Sequence, residues 1–117
     1  MTRNVSNSFN IGLDVTNISK FRNCSNSFVK RILTTNEYDE YLKINTSQRA
    51  RFLASRWVLK ESAFKAISND HNIFFINIEF SKSDNDSFYY CKTFPNLKTS
   101  ISYNDDLVYC VAIYVNI

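Results

Sequence analysis

The 117 residues fit one domain, 1–117, and a composition of 44% hydrophobic and 15% aromatic residues allows a single aromatic-rich core. No apolar run approaches the roughly 20 residues of a membrane span. The opening MTRNVSNSF has no secretory apolar segment, and three cysteines without CxxC spacing speak against a disulfide framework or a zinc site and for a reducing, cytoplasmic setting. The net charge of +3 is mild but uneven: 15–36 holds Lys20, Arg22, Lys30 and Arg31 with no acid, and 41–60 holds Lys43, Arg49, Arg51, Arg56 and Lys60 with none. Such a basic half implies either a solvated helix face or an acidic partner.

In chain order, FNIGLDV at 9–15 predicts a strand. Phe9, Ile11, Leu13 and Val15 alternate with Asn10, Gly12 and Asp14, which places the apolar set toward the core and Asp14 on the opposite face. Gly12 is the only glycine in the chain. A glycine inside a strand weakens it and often marks close approach of a ligand or another backbone. Asn17 or Ser19 can cap a short helix from Ile18. FVKRILTTNEYDEYLKI predicts two short helices broken at Thr34–Thr35, where a hydroxyl caps the second.

Residues 47–68, SQRARFLASRWVLKESAFKAIS, contain no breaker and form the longest predicted helix. Ala50, Leu53, Ala54, Trp57 and Phe64 line one side, and Phe52, Leu59, Ala63 and Ala66 the other. A helix apolar on two faces is packed on two sides. Glu61 falls near the centre of the Trp57 side, and Lys65 stands one turn beyond it. After the helix, NIFFINIEF, FYYCKTF, TSIS and DLVYCVAIYVNI predict antiparallel strands joined by hairpins, the last of them central, with Pro95 in a loop or at an edge. The fold class is α+β: an antiparallel sheet, one long helix and several short ones.

Two acids stand out. A carboxylate on an apolar face is costly without a partner. Glu61 can answer that cost as an i,i+4 pair with Lys65 or as a metal ligand. Asp14 is either an ordinary solvent-facing acid or an oxygen ligand beside the space that Gly12 clears. Two carboxylates from a strand and a helix suit Mg²⁺, which keeps several waters and is commonly held by one or two carboxylates plus substrate phosphates.

GLDV, RILTTNEYDEY and FLASRWVLKESAFKA together resemble holo-acyl-carrier-protein synthase, the small bacterial type of 4′-phosphopantetheinyl transferase. Its pattern is a G-I/L-D strand and a W/F-x-x-K-E-x-x-x-K helix, in this order and in a chain of this length. The resemblance implies an enzyme that moves phosphopantetheine from coenzyme A to a serine of apo-acyl carrier protein, a step of fatty acid biosynthesis, and releases adenosine 3′,5′-bisphosphate. It implies Mg²⁺ on Asp14 and Glu61. Catalytic roles fall to Glu61 and Lys65, and a coenzyme A site to Arg56, Lys60, Lys65 and Gly12. A homotrimer with sites between subunits is also implied, with no nucleic acid or membrane partner. Lys65 is expected to neutralise the phosphate under attack or the departing one, and Lys60 to reach another phosphate or the far side of a subunit interface. The basic stretch Lys20, Arg22, Lys30 and Arg31 is expected to dock the acidic carrier protein.

The sequence departs from the pattern in places. The glycine-rich turn after the long helix is replaced by SNDHNIF, where Asn69, Asp70 and Asn72 must supply any left-handed backbone. The family's His after SIS is Tyr103, read as packing, and Lys20 stands where many members carry Arg. Two alternatives stand beside this reading: a non-catalytic homologue that binds coenzyme A or a carrier protein, and a small basic nucleic-acid-binding module. The second leaves Gly12, Asp14 and Glu61 unexplained.

Overall fold

The computed structural model describes residues 9–68, 73–82 and 89–115. Strand β1 (Phe9–Asn17) leads through a 3₁₀ turn, Ile18–Phe21, to helices α1 (Asn26–Ile32) and α2 (Thr35–Lys43), then to the long α3 (Arg49–Ile67). A 3₁₀ turn at Phe75–Asn77 precedes β2 (Phe80–Lys82), β3 (Tyr89–Cys91), β4 (Leu97–Asn104) and β5 (Leu107–Val115). The mixed architecture matches the α+β expectation, but the strands divide. A three-stranded antiparallel sheet runs β1-β5-β4, with β5 central, and β2 and β3 form a separate two-stranded ribbon. NIFFINIEF yields a 3₁₀ turn and only a short strand. Residues 83–88, and residues 69–72 where the substituted turn is expected, lie outside the described residues.

Local chemistry accounts for the breaks. The Thr34 side chain accepts the Glu37 N–H and the Glu37 carboxylate accepts the Thr34 N–H, a capping box that starts α2. Asn17 and Ser19 do not cap the 3₁₀ turn. Both bond Asp106 instead, tying β1's end to the β4–β5 turn. That turn holds Asp105 at φ 55°, and Asn23 takes φ 62° before α1, so short polar residues supply the left-handed positions in a chain nearly without glycine.

Helix α3 is the centre of the molecule. Leu53, Ala54, Val58, Leu59, Ala63, Ala66 and Ile67 are buried. One side lies on β1 and β5, and Trp57 on another side meets Phe21, Phe28 and Phe75. Two faces of the helix are therefore packed within the chain, with Trp57 and Phe64 half-buried.

The facing of β1 is the reverse of the expectation. Phe9, Ile11, Leu13 and Val15 are 51–64% exposed, whereas Gly12 and Thr16 are buried toward α3 and Asp14 is half-buried there. Period two is present, but the small and polar set faces the helix because only a strand without bulk lets α3 come this close.

Candidate active site

The close approach occurs at Gly12. A β-carbon there would lie 1.9 Å from the Ser62 carbonyl oxygen and 2.9 Å from both the Ala66 nitrogen and the Lys65 β-carbon. Gly12 has no positive φ. Its missing side chain makes room for helix backbone, so it does not clear space for a ligand, and the expected coenzyme A role of Gly12 is withdrawn. Its function is indirect. With α3 seated on residue 12, the helix row carrying Glu61 and Lys65 overlies Asp14 two residues along the strand.

There the Lys65 ammonium donates to the Leu13 carbonyl at 2.8 Å and to Asp14 Oδ1 at 3.3 Å. Glu61 is half-buried, and burial first, then the Asp14 charge, pushes its carboxyl above the usual carboxylate range, with Lys65 pulling the other way. Two carboxylates at a partly open position, with one half-exposed ammonium beside them, are hard oxygen donors of the kind a divalent cation takes. Among the described residues no group of three or more ligating side chains occurs, so a metal here rests on these two acids.

Arg56 lies elsewhere. It lines a cleft of about 650 Å³ with Glu40, Arg51, Ser55, Lys82, Tyr89 and Tyr103 among its walls. The Arg51 guanidinium lies 3.7 Å over the Tyr103 ring, and the Tyr103 hydroxyl is 2.7 Å from Ser55 Oγ. Tyr103 thus does pack, as expected of it, and the surface it builds carries Arg51. Arg56 Nη2 donates to Glu40 at 3.2 Å, and its guanidinium covers Phe52 and Tyr89.

Lys60 is not at a ligand surface. It is fully buried, its ammonium 2.5 Å from Glu37 Oε1, and burial pulls its pKa down against the Glu37 charge. The expected phosphate contact of Lys60 is corrected for that reason. Glu37, equally buried, was invisible to the sequence reading. Thr34 and Glu37 at capping-box spacing marked its place in the first turn of α2, but nothing local showed that its second oxygen would accept the Phe80 N–H and face Arg56. Arg51, Lys82 and Glu40 were likewise missed, since they meet only through tertiary packing. The expected docking residues Lys20, Arg22, Lys30 and Arg31 are all exposed, Lys30 over the Tyr38 ring and Arg31 over Phe28.

The model of the 4′-phosphopantetheinyl transferase superfamily matches residues 10–112, which spans β1, α3 and most of β5. The chain belongs to this superfamily. It is 39% identical over 100 residues to the holo-[acyl-carrier-protein] synthase of Mycoplasma genitalium, covering 81% of this chain and 85% of that one. It is 41% identical over 100 residues to the enzyme of the same name from Mycoplasma mobile, covering 84% and 81%. Its fold is shared with a Bacillus anthracis holo-(acyl-carrier-protein) synthase solved with coenzyme A (3′,5′-ADP), at TM-score 0.77 and 23% identity over 92% of this chain and 96% of that one. No helix among the described residues is long and apolar enough to cross a membrane.

Proposed function

We propose that this superfamily member is a holo-[acyl-carrier-protein] synthase, which transfers 4′-phosphopantetheine from coenzyme A to a serine of apo-acyl carrier protein. The single observation that carries the reading is the Asp14–Glu61–Lys65 cluster, built by the contact of the chain's one glycine with α3. The serine oxygen forms a bond to the β-phosphorus, the bond to adenosine 3′,5′-bisphosphate breaks, and the serine proton passes to solvent. Mg²⁺ held by Asp14 and Glu61 would supply charge neutralisation at the diphosphate. Lys65, half-exposed, lies where its ammonium can exchange Asp14 for a phosphate oxygen. Arg56, Arg51 and Lys82 line a cleft whose cations suit the nucleotide's phosphates. Mass spectrometry of apo-acyl carrier protein incubated with this chain, coenzyme A and Mg²⁺ should show the gain of one phosphopantetheine. Binding of coenzyme A without that gain would favour the non-catalytic homologue.

The active unit is read as a homotrimer. The support is the outer face of the β1-β5-β4 sheet, where Phe9, Ile11, Leu13 and Val15 lie beside Ile113, itself 38% exposed. Contiguous exposed apolar surface of this kind marks an interface. Neither acid lines the Arg56 cleft, and the helix rises roughly 7.5 Å over the five positions from Arg56 to Glu61. A neighbouring subunit's cleft facing the acid pair would join them in one site. Light scattering should give about three times 13.7 kDa. Leu13→Asp should give a monomer without transfer, and an active monomer would remove the shared-site reading.

Lys20, Arg22, Lys30 and Arg31 are read as the carrier-protein surface, with cations presented by aromatic rings. Arg31→Glu should raise the apparent KM for carrier protein about 10-fold and leave that for coenzyme A unchanged. Equal effects on both would make this a solvated face.

A further inference from the structure

The buried polar network under the cleft contains an arrangement that packing alone does not call for. Glu37, fully buried, accepts the Thr34 N–H on Oε1 and the Phe80 N–H on Oε2, both at 2.9 Å. Lys60 stands against Oε1. Arg56 Nε, also buried, lies 3.7 Å from Oε2 and has no hydrogen-bond partner. An arginine beside a buried carboxylate ordinarily closes into a short, two-pronged pair. Here it does not: one of its Nη atoms turns to Glu40 at the cleft rim, a carboxylate 44% exposed. What differs from the ordinary case is the second cation already seated on Glu37.

We propose that Lys60 is a positioning residue: by saturating Glu37 it keeps Arg56 from collapsing onto that carboxylate, and so presents the guanidinium to the cleft as an anion contact. A buried ion pair is weak evidence of a stability role, since neutral side chains of similar volume often replace one without loss. Lys60 does not line the cleft; Arg56, though only 2% exposed, lies in its wall. The pair therefore acts through the partner that it frees. This rests on the proposed coenzyme A site, and its ligand is the phosphate-bearing end of coenzyme A.

Calorimetric titration with coenzyme A on four proteins, each checked for native circular dichroism, tests it. Arg56→Gln should weaken binding about 10-fold. Lys60→Met should do the same although it removes no ligand contact, with kcat at saturating coenzyme A within about 3-fold of wild type. Lys60→Met with Glu37→Gln leaves Arg56 no buried carboxylate to fall onto, so affinity should return to within about 3-fold of wild type. If Lys60→Met alone does not fold, Lys60→Gln keeps a donor for Glu37 without the charge and should weaken binding in the same direction. Normal binding by a folded Lys60 single variant overturns the proposal, as does a double variant no better than the single one, because Lys60 would then act on the ligand or the fold directly. An Arg56→Gln variant that binds normally overturns both the proposal and the reading of the cleft. An effect of Arg56→Gln without one of Lys60→Met overturns the proposal alone.

Discussion

Helix α3 carries two carboxylate–lysine clusters on neighbouring turns, and they are opposites. At Lys60 the partner acid, Glu37, comes from α2; both side chains are sealed from water, and Glu37 also accepts two backbone N–H groups. At Glu61 and Lys65 the partner acid, Asp14, comes from β1; all three are at least partly open, and burial together with the Asp14 charge makes Glu61 reluctant to ionise. The first cluster is nearly complete in itself, while the second holds like charges that one lysine only partly relieves. Side-chain chemistry is the same in both. Access and residual charge set them apart: the first is closed to any ligand, and the second is open to the one proposed for it.

The sharpest break of this contrast is to neutralise one acid in each. Asp14→Asn and Glu61→Gln should lower transfer by at least about 10³-fold while leaving the fold intact. Glu37→Gln should instead cost about 3–5 kcal/mol of folding stability, since it strands the buried Lys60 ammonium. Urea melts beside a mass-spectrometric transfer assay measure both. Near-normal turnover by Glu61→Gln in Mg²⁺ would end the metal assignment, and a Glu37→Gln melt like wild type would show that the buried cluster is not what holds α2 to α3.

A second test asks what joins β1 to the open cluster. Gly12→Ala must push the Ser62 turn off the strand, at about 3 kcal/mol or more. It should lower stability and transfer together, since Glu61 and Lys65 move with the helix. A normal melt with selective loss of coenzyme A binding would show that a ligand, not α3, fills the space over Gly12.

How much of this was legible follows from which residues act locally. Helix α3, the capped start of α2 and the central β5 strand follow from periodicity and caps, and each emerged close to its expected bounds. Asp14, Glu61 and Lys65 were legible because each sat in a pattern it did not fit, and the structure does gather them. Three readings failed because the deciding partner is remote in sequence. Alternation in β1 gives two faces but not which one meets the helix. Glycine 12 announces a close neighbour without saying that it is Ser62. Lys60 on the helix flank looks like any phosphate-binding lysine until Glu37, 23 positions earlier by their residue numbers, closes over it.

The smallest expected effect is in pH, and its sign separates the clusters again. Glu61's carboxyl is raised in the folded chain, so between the usual carboxylate value and the raised one the folded state holds a proton that the unfolded state has lost. Stability from this group is therefore present below the usual value and is lost as pH rises through the folded one. Glu61→Gln removes the dependence, so it should melt above wild type near about pH 8 and level with it near about pH 4. A cation bound by the ionised pair reverses the penalty. Millimolar Mg²⁺ should raise the wild-type Tm by a few degrees near about pH 8, do little near about pH 4, and do little to Glu61→Gln at either. Scanning calorimetry at the two pH values gives all the comparisons at once. The buried Glu37–Lys60 pair should be indifferent to Mg²⁺ throughout, because no ion reaches it. If Mg²⁺ stabilises wild type and Glu61→Gln equally, the ion is held elsewhere, and the open cluster is a pair of acids steadied by a lysine.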